Sequence, residues 1–224
     1  MSFNIAVLAS GSGSNLQSII DAVERGSLEA KICLVLCNRS NAFALERAKK
    51  AGIPTAIILH SDFENREEFD SAMIEQLQAA NVDLVVLAGF MRILTPLFIK
   101  TFAGRIVNIH PALLPSFKGA HGIADAVEYG VTLAGCTVHF VDEIMDNGAI
   151  IAQAVVPFAS DESADTVQKR VLAFEHRVYP QVLQWIANGR VSQNGRKASV
   201  QDTGLAKIPS DGSFIVSPQL EDGF

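Results

Sequence analysis

The sequence predicts an α/β protein with a mostly parallel, Rossmann-like twisted sheet, helices on both faces and an antiparallel hairpin in the C-terminal half. Three observations support this fold class. Apolar runs alternate with helical apolar spacing four times in the first 90 residues, which requires crossovers between parallel strands. The strand-like runs are continuously apolar, which is typical of strands buried on both faces. After residue 130, two runs flank a hairpin-turn signal instead.

The elements of the first half follow in order. Each apolar run ends at a glycine, a proline or a polar turn. The predicted strands cover residues 4–10, 31–37, 55–59, 83–88 and 105–110. The predicted helices run from Leu16 to Gly26, from Asn41 to Gly52, from a cap at Ser61 or Asp62 onward, and from Thr95-Pro96 onward.

The second half has a different pattern. Residues 136–141 and 149–156 predict a hairpin around the turn Asp146-Asn147-Gly148. Ser163 begins a long helix that ends near Gly189. The chain then becomes polar. We therefore predict one catalytic domain over residues 1–190 and a polar surface tail over 191–224 that is not a separate domain.

The amino-acid composition and net charge limit the partners that we expect for this protein. The 224 residues are 49% hydrophobic, which is enough to fill a core, and 18 Lys and Arg against 24 Asp and Glu give a net charge of −6. We expect no nucleic-acid or membrane partner from this charge. An odd three cysteines, no secretory leader and no apolar run of bilayer length predict a soluble cytoplasmic protein. The sequence has no metal-binding motif, so we expect no metal.

The first candidate site is the glycine-rich turn ASGSGSNLQSII. Gly13, Ser14 and Asn15 stand at the start of a helix, where backbone N–H groups and the helix dipole favour an anion. Leu16 occupies the place of the third glycine in a dinucleotide fingerprint, so a single phosphate fits this loop better than a pyrophosphate. The alternative is a tight strand-to-helix turn whose glycines only permit packing, and the loop alone favours neither.

The second candidate site is the strand end Asn108-Ile109-His110, followed by Pro111. Residues i and i+2 of a strand share a face, and open α/β sheets bind ligands at the carboxyl ends of their strands. An amide beside an imidazole is suited to acyl transfer, because the amide can stabilise an oxyanion while the imidazole carries charge or a proton. The alternative is a core histidine that bonds a nearby carbonyl.

The acidic turn near Asp146 is the third candidate. Asp-Asn-Gly is ordinary hairpin-turn chemistry, so its acids need no function. Asp146 gains a catalytic role only if the hairpin brings it to His110, where its carboxylate would stabilise the imidazolium. His139, within the alternating run, is predicted to be a structural, hydrogen-bonded residue.

Five segments in this order resemble the phosphoribosylglycinamide formyltransferase family of folate-dependent enzymes. They are ASGSGSNLQSII, VVLAGFMRIL, RIVNIHPALLPSFKG, GCTVHFVDEIMDNGAIIAQ and EHRVYP. The resemblance covers about residues 4–190. It implies the formyltransferase fold, 10-formyltetrahydrofolate as cosubstrate without a metal, glycinamide ribonucleotide as acceptor, and a monomer or homodimer.

The resemblance also implies residue roles. The catalytic residues would be Asn108, His110 and Asp146. The substrate phosphate would be bound by Gly13, Ser14 and Asn15, and the rest of that substrate by Glu175, Lys118 and His121. The folate side would comprise Arg66, Met91, Arg92, Ile93, Leu94, Val141, Asp142, Glu143 and Ile144.

The implied reaction is direct formyl transfer through a tetrahedral intermediate in purine biosynthesis. Another formyl transfer or formyl hydrolysis by the same fold is the nearest alternative, although a transfer-RNA formyltransferase would need a basic domain after residue 190. An NAD(P)-dependent oxidoreductase is disfavoured, since Asn38-Arg39 stands where that fold carries an acidic residue. A non-catalytic phospholigand-binding module would not explain Asn108 and His110.

Overall fold

The computed structural model describes residues 2–204 and 215–224. Its contacts divide them into two compact units. The first runs to Asn108 and includes Val141–Glu143, and the second comprises Ile109–Phe140 and the residues from Ile144 onward. The division between Asn108 and Ile109 falls inside one strand.

The first unit contains a parallel sheet with helical crossovers. Its strands are β1 (Phe3–Ala9), β2 (Ala30–Cys37), β3 (Thr55–Ile57), β4 (Leu84–Leu87) and the first three residues of β5 (Ile106–His110). Its helices are α1 (Ser14–Glu24), α2 (Phe43–Lys50), α3 (Arg66–Ala79) and α4 (Pro96–Thr101), with a 3₁₀ turn at His60–Asp62. The order β3-β2-β1-β4-β5 with parallel pairing confirms the predicted alternation.

The core of this unit explains the continuously apolar strands. Residues 5–9 of β1 are fully buried. On one side, Phe69 and Met73 of α3 and Phe98 of α4 share a buried cluster with Leu8. Burying each such large side chain stabilises the fold by roughly 1.5–3 kcal/mol. This packing holds in place the strands whose carboxyl ends carry the polar loops.

Two helix starts differ from the sequence prediction. The predicted cap at Ser61 or Asp62 is wrong, because these residues form the 3₁₀ turn. Asn65 caps α3 instead: its side chain accepts the Glu68 N–H at 2.9 Å and donates to the Glu68 carboxylate at 2.9 Å, a reciprocal cap. Likewise α2 begins at Phe43 rather than Asn41.

The second unit contains the predicted hairpin and long helix. Its strands are β6 (Leu133–Phe140), β7 (Ile150–Pro157), β8 (Val191–Asn194), β9 (Lys197–Val200) and β10 (Ile215–Ser217). Its helices are α5 (Gly122–Tyr129) and α6 (Ala164–Ala187). Strands β6 and β7 pair antiparallel, as predicted. Ser163 caps α6 by accepting the Thr166 N–H, also as predicted.

The residues after 190 add structure that the sequence did not predict. Strands β8 and β9 form a second hairpin, and β10 pairs antiparallel with β7. The Glu221 carboxylate accepts bonds from Arg190 and Trp185. Part of the predicted tail, residues 205–214, lies outside the described residues, and the one-domain organisation stays a prediction. Within residues 2–204 and 215–224, no helix is long and apolar enough to span a bilayer.

Candidate active site

The glycine-rich loop between β1 and α1 has a backbone that only glycine fits at position 13. Gly13 has a left-handed φ of 68° directly before α1, and a Cβ there would lie 2.7 Å from the Ala44 Cβ. The loop is also tied to α2, since the Ala44 N–H donates to the Gly11 carbonyl at 3.1 Å and Arg47 Nε donates to the Ser12 carbonyl at 2.9 Å. The loop conformation is therefore fixed by packing.

The start of α1 has the properties of an anion site. Ser14 and Asn15 begin the helix, whose first turn contains no acidic residue. First-turn N–H groups have no acceptor within their own helix, and the dipole is positive at this end. A phosphate can therefore bind here without repulsion from a nearby carboxylate.

Residues 91–94 follow β4 and are attached to the first unit through their backbone. The Met91 N–H donates to Ser10 Oγ at 2.8 Å, and Arg66 donates to the Ile93 carbonyl at 2.7 Å. The side chains of Met91 and Ile93 are 61% and 60% exposed. Arg66, predicted to contact the folate, thus also holds the segment predicted to bind it.

The other predicted folate residues of this unit differ in exposure. Leu94 is buried in the core cluster, and Val141 packs against that cluster while its N–H donates to the Ile106 carbonyl at 3.0 Å. Arg92 and Asp142 are half-buried, whereas Glu143 is exposed. Residues 141–143 therefore belong to the first unit, as do residues 91–94.

His110 lies in a polar setting although it is only 4% exposed. Its Nε2 is 2.9 Å from the Phe117 carbonyl oxygen, which can only accept, so this nitrogen carries a proton. Its Nδ1 is 3.6 Å from Asp146 Oδ2. Both ring nitrogens thus face oxygen atoms that can accept hydrogen bonds.

The hairpin loop brings the Asp146 carboxylate to two imidazoles. Asp146 has a left-handed φ of 50°, a conformation that Asp tolerates better than most residues. Its Oδ2 accepts the Gly119 N–H at 2.8 Å, and its Oδ1 is 3.9 Å from His139 Nε2. His139 Nδ1 is 2.8 Å from the Phe140 carbonyl. A largely buried carboxylate is therefore hydrogen-bonded to one backbone N–H and lies within 4 Å of two imidazole rings.

Asn108 ends the long N-terminal stretch of the first unit, and His110 is the second residue of the other unit. In the sheet register Asn108 lies opposite Leu87, where β4 ends. Asn108 and His110 stand at alternate positions of β5, as the sequence predicted. Their alternation gives the two side chains the same direction along that strand.

The remaining predicted residues lie in different environments. Lys118 Nζ donates to Asn147 at 3.2 Å, which links it to the Asp146 loop. His121 is exposed and immediately precedes α5. Glu175 is 6% exposed on α6. Burial, and secondarily the Glu175 charge, raises the pKa of the Cys136 thiol, so Glu175 lies near β6. Ile144 is exposed.

Sequence reasoning missed three parts of this cluster. The Phe117 carbonyl and the Gly119 N–H are backbone groups, which leave no signature of function in a residue pattern. His139 was predicted to be structural, and its bond to the Phe140 carbonyl agrees with that. Its approach to Asp146 was not foreseen, because only the hairpin register brings it there. In the described part of the chain, no group of His, Cys, Asp and Glu is arranged to hold a metal ion.

Comparisons with known proteins identify the relatives of this chain. The formyl transferase family model matches residues 3–183. A phosphoribosylglycinamide formyltransferase of Haemophilus influenzae is 46% identical over 91% of this chain and 96% of its own length. A trifunctional purine biosynthetic protein adenosine-3 of Bos taurus is 46% identical over 86% of this chain, which covers only 19% of that protein.

A solved structure has the same fold. The crystal structure of glycinamide ribonucleotide transformylase 1 from Symbiobacterium toebii superposes with a TM-score of 0.88 at 42% identity, covering 90% of this chain and 95% of that one. The match supports the fold class inferred from the pattern of strands and helices.

Proposed function

The chain belongs to the formyl transferase family, and we propose on that premise that it transfers the formyl group of 10-formyltetrahydrofolate to the amine of glycinamide ribonucleotide. The products are formylglycinamide ribonucleotide and tetrahydrofolate, in purine biosynthesis. The observation that carries the proposal is the His110 imidazole with one nitrogen 2.9 Å from a carbonyl oxygen and the other 3.6 Å from the Asp146 carboxylate.

The reaction needs an oxyanion stabiliser and a route for one proton. The substrate amine attacks the formyl carbon, and the carbonyl electron pair moves to oxygen, giving a tetrahedral intermediate. Asn108 and protonated His110 stabilise that oxygen. The proton lost by the amine passes to the folate nitrogen through a water ordered by Asp146. The bond from carbon to that nitrogen then breaks, and the carbonyl reforms.

The Phe117 carbonyl indicates which nitrogen of His110 meets the substrate. Nε2–H already donates to a carbonyl oxygen at 2.9 Å. The formyl oxygen has the same acceptor chemistry, so it takes the place of the Phe117 oxygen when the donor binds. Asp146 stays on the Nδ1 side, where its charge stabilises the cation throughout the reaction.

The two substrates use different groups. The phosphate binds at Gly13, Ser14 and Asn15, and the rest of the ribonucleotide contacts Glu175, Lys118 and His121. The folate lies against residues 91–94 and 141–144 with Arg66. The exposed apolar side chains Met91 and Ile93 suit a flat aromatic ring.

We further propose a cytoplasmic enzyme that works as a monomer or homodimer without nucleic-acid or membrane partners. Cys33, Cys37 and Cys136 are free thiols, and burial raises the pKa of Cys37 to about 11. Free thiols, two of them buried, are compatible with a reducing compartment.

An absorbance assay of folate release tests the function. We expect tetrahydrofolate to form from 10-formyltetrahydrofolate only when glycinamide ribonucleotide is present, with one formylglycinamide ribonucleotide per turnover. Release at the same rate without the amine would identify a hydrolase instead. No release under either condition would refute formyl chemistry.

A further inference from the structure

Asp70 is a buried carboxylate on α3 that takes no part in the chemistry proposed above. It is 2% exposed. A single oxygen, Oδ2, accepts both the Thr95 N–H at 2.6 Å and the Thr95 hydroxyl at 2.7 Å. Burial raises the pKa of Asp70, and the bonds from Thr95 and the charges of Arg66 and Arg92 oppose this rise. A buried carboxylate with such partners is costly to leave unpaired.

Thr95 connects Asp70 to the proposed folate side. It follows Leu94 directly and precedes α4 as its N-terminal cap residue. A threonine at that position ordinarily bonds its hydroxyl to the first turn of its own helix. Here the hydroxyl donates to Asp70, and no side-chain cap bond forms.

Three anchors hold the stretch from 91 to 95, which we call the 91–95 segment. Ser10 accepts the Met91 N–H, Arg66 donates to the Ile93 carbonyl, and Asp70 holds Thr95. All three act on alternate residues and belong to the first unit. The backbone is thus fixed while Met91 and Ile93 stay exposed. A surface fixed before binding saves the cost of ordering it when the ligand arrives.

We propose that Asp70 is a positioning residue for the folate: by holding Thr95, it keeps the 91–95 segment in the conformation that binds the donor. The inference rests on the proposed function, because it assumes that this segment contacts 10-formyltetrahydrofolate. Asp70 itself touches no substrate. Its effect therefore concerns donor binding and not the acceptor or the chemical step.

Steady-state kinetics of Asp70→Ala and Asp70→Asn test the proposal. We expect Asp70→Ala to raise the KM for 10-formyltetrahydrofolate about tenfold or more, since two bonds to a charged group are lost. The KM for glycinamide ribonucleotide should stay within about twofold. Asp70→Asn retains an oxygen that can accept both bonds from Thr95, so it should restore the donor KM to within about threefold of wild type.

Leu77→Val is the matched control. Leu77 is fully buried on the same helix, seven residues and so about 10 Å beyond Asp70. The Leu77→Val variant should have a lower Tm, and both of its KM values should match those of the wild type. If Asp70→Ala does not fold, Thr95→Val removes the hydroxyl alone and should raise the donor KM in the same selective way.

Three results would overturn the proposal: an unchanged donor KM in Asp70→Ala or Thr95→Val, an equal rise in both KM values, or an Asp70→Asn variant as impaired as Asp70→Ala. Failure of the proposed function is distinguishable, because the wild-type enzyme would then form no formylglycinamide ribonucleotide at all.

Discussion

The two units contribute different kinds of groups to the proposed reaction. In the first, the glycine-rich loop and the 91–95 segment are fixed by bonds to their backbone, and they offer N–H groups and apolar side chains. In the second, the Asp146 carboxylate lies 3.6 Å from a ring nitrogen of His110 and 3.9 Å from a ring nitrogen of His139. The backbone-anchored segments of the first unit are proposed to bind substrates, whereas the imidazole–carboxylate cluster of the second is proposed to take part in the chemistry, so KM and kcat should respond to different substitutions in these two places.

Replacing His110 should have the largest effect. We expect His110→Ala to lower kcat by at least about 10²–10³, the usual cost of losing one oxyanion donor, and Asn108→Ala to do the same. Binding of the phosphate ligand should persist, because the glycine-rich loop is untouched. Steady-state kinetics and calorimetry with glycinamide ribonucleotide measure the two quantities.

His60→Ala is the control for His110, because His60 is exposed on the 3₁₀ turn. It should leave kcat unchanged. If both Asn108→Ala and His110→Ala turned over near the wild-type rate, the end of β5 would not be the catalytic centre and the proposed roles of both residues would be refuted.

Removing the charge of Asp146 should cause the next largest fall in kcat. Asp146→Asn keeps an oxygen for the Gly119 N–H but loses the negative charge that faces His110 and His139. We expect kcat to fall roughly 10²-fold, in the range for groups that assist proton transfer, with both KM values near wild type. A rise in the phosphate-substrate KM at unchanged kcat would assign Asp146 to binding instead.

Gly13→Ala tests whether the glycine-rich loop binds the phosphate of glycinamide ribonucleotide. A Cβ at φ 68° would be strained and would lie 2.7 Å from the Ala44 Cβ, so the loop must shift. We expect the KM for glycinamide ribonucleotide to rise about tenfold, consistent with losing one charge-assisted bond to phosphate, with a smaller change in kcat.

Gly26→Ala is a closely matched control for Gly13. Gly26 follows the other end of α1 with φ 75°, but a Cβ there meets nothing within 4 Å. It should cost about 1 kcal/mol of stability from backbone strain alone and leave the KM unchanged. Equal KM values in the two glycine variants would show that the conformation of the loop does not matter for binding.

The regions differ also in how far the sequence could predict them. The ends of the strands in the first unit were predictable. A parallel strand buried on both faces, such as residues 5–9 of β1, is a continuous apolar run, and the strand ends where that run ends. The alternation of Asn108 and His110 followed from strand period alone. The start of α3 was missed, since Ser61, Asp62 and Asn65 are all acceptable caps and only packing chooses among them.

The catalytic cluster was harder to predict, since its contacts join residues distant in sequence. Nothing local indicates that Asp146 approaches His110, 36 positions earlier, or that the Phe117 carbonyl faces the imidazole. The strands after residue 190 were missed for a related reason. Their residues are polar, and β10 is defined by its pairing with β7 rather than by its own pattern.

The smallest expected effect concerns Glu221, which bonds Arg190 and Trp185 and is not used by the proposed mechanism. Burial raises the pKa of Glu221, but bonds from Arg190, Trp185 and Gln181 outweigh it, so the net pKa is lowered. A lowered folded-state pKa stabilises the protein above the unfolded value of about 4.3, and this contribution is lost as pH falls through the folded value. Because the carboxylate is partly exposed, we expect Glu221→Gln to cost less than about 1 kcal/mol at pH 7.

Thermal melts of wild type and Glu221→Gln between pH 3 and pH 7 check this effect. The difference in Tm should be present at neutral pH, should shrink as pH falls below the unfolded value of about 4.3, and should be lost once the pH is below the lowered folded-state pKa, where the wild-type carboxylate is protonated as well. Both KM values and kcat should match wild type at pH 7. A selective fall in kcat would show that the C-terminal segment contributes to the chemistry, in addition to the loop between β6 and β7.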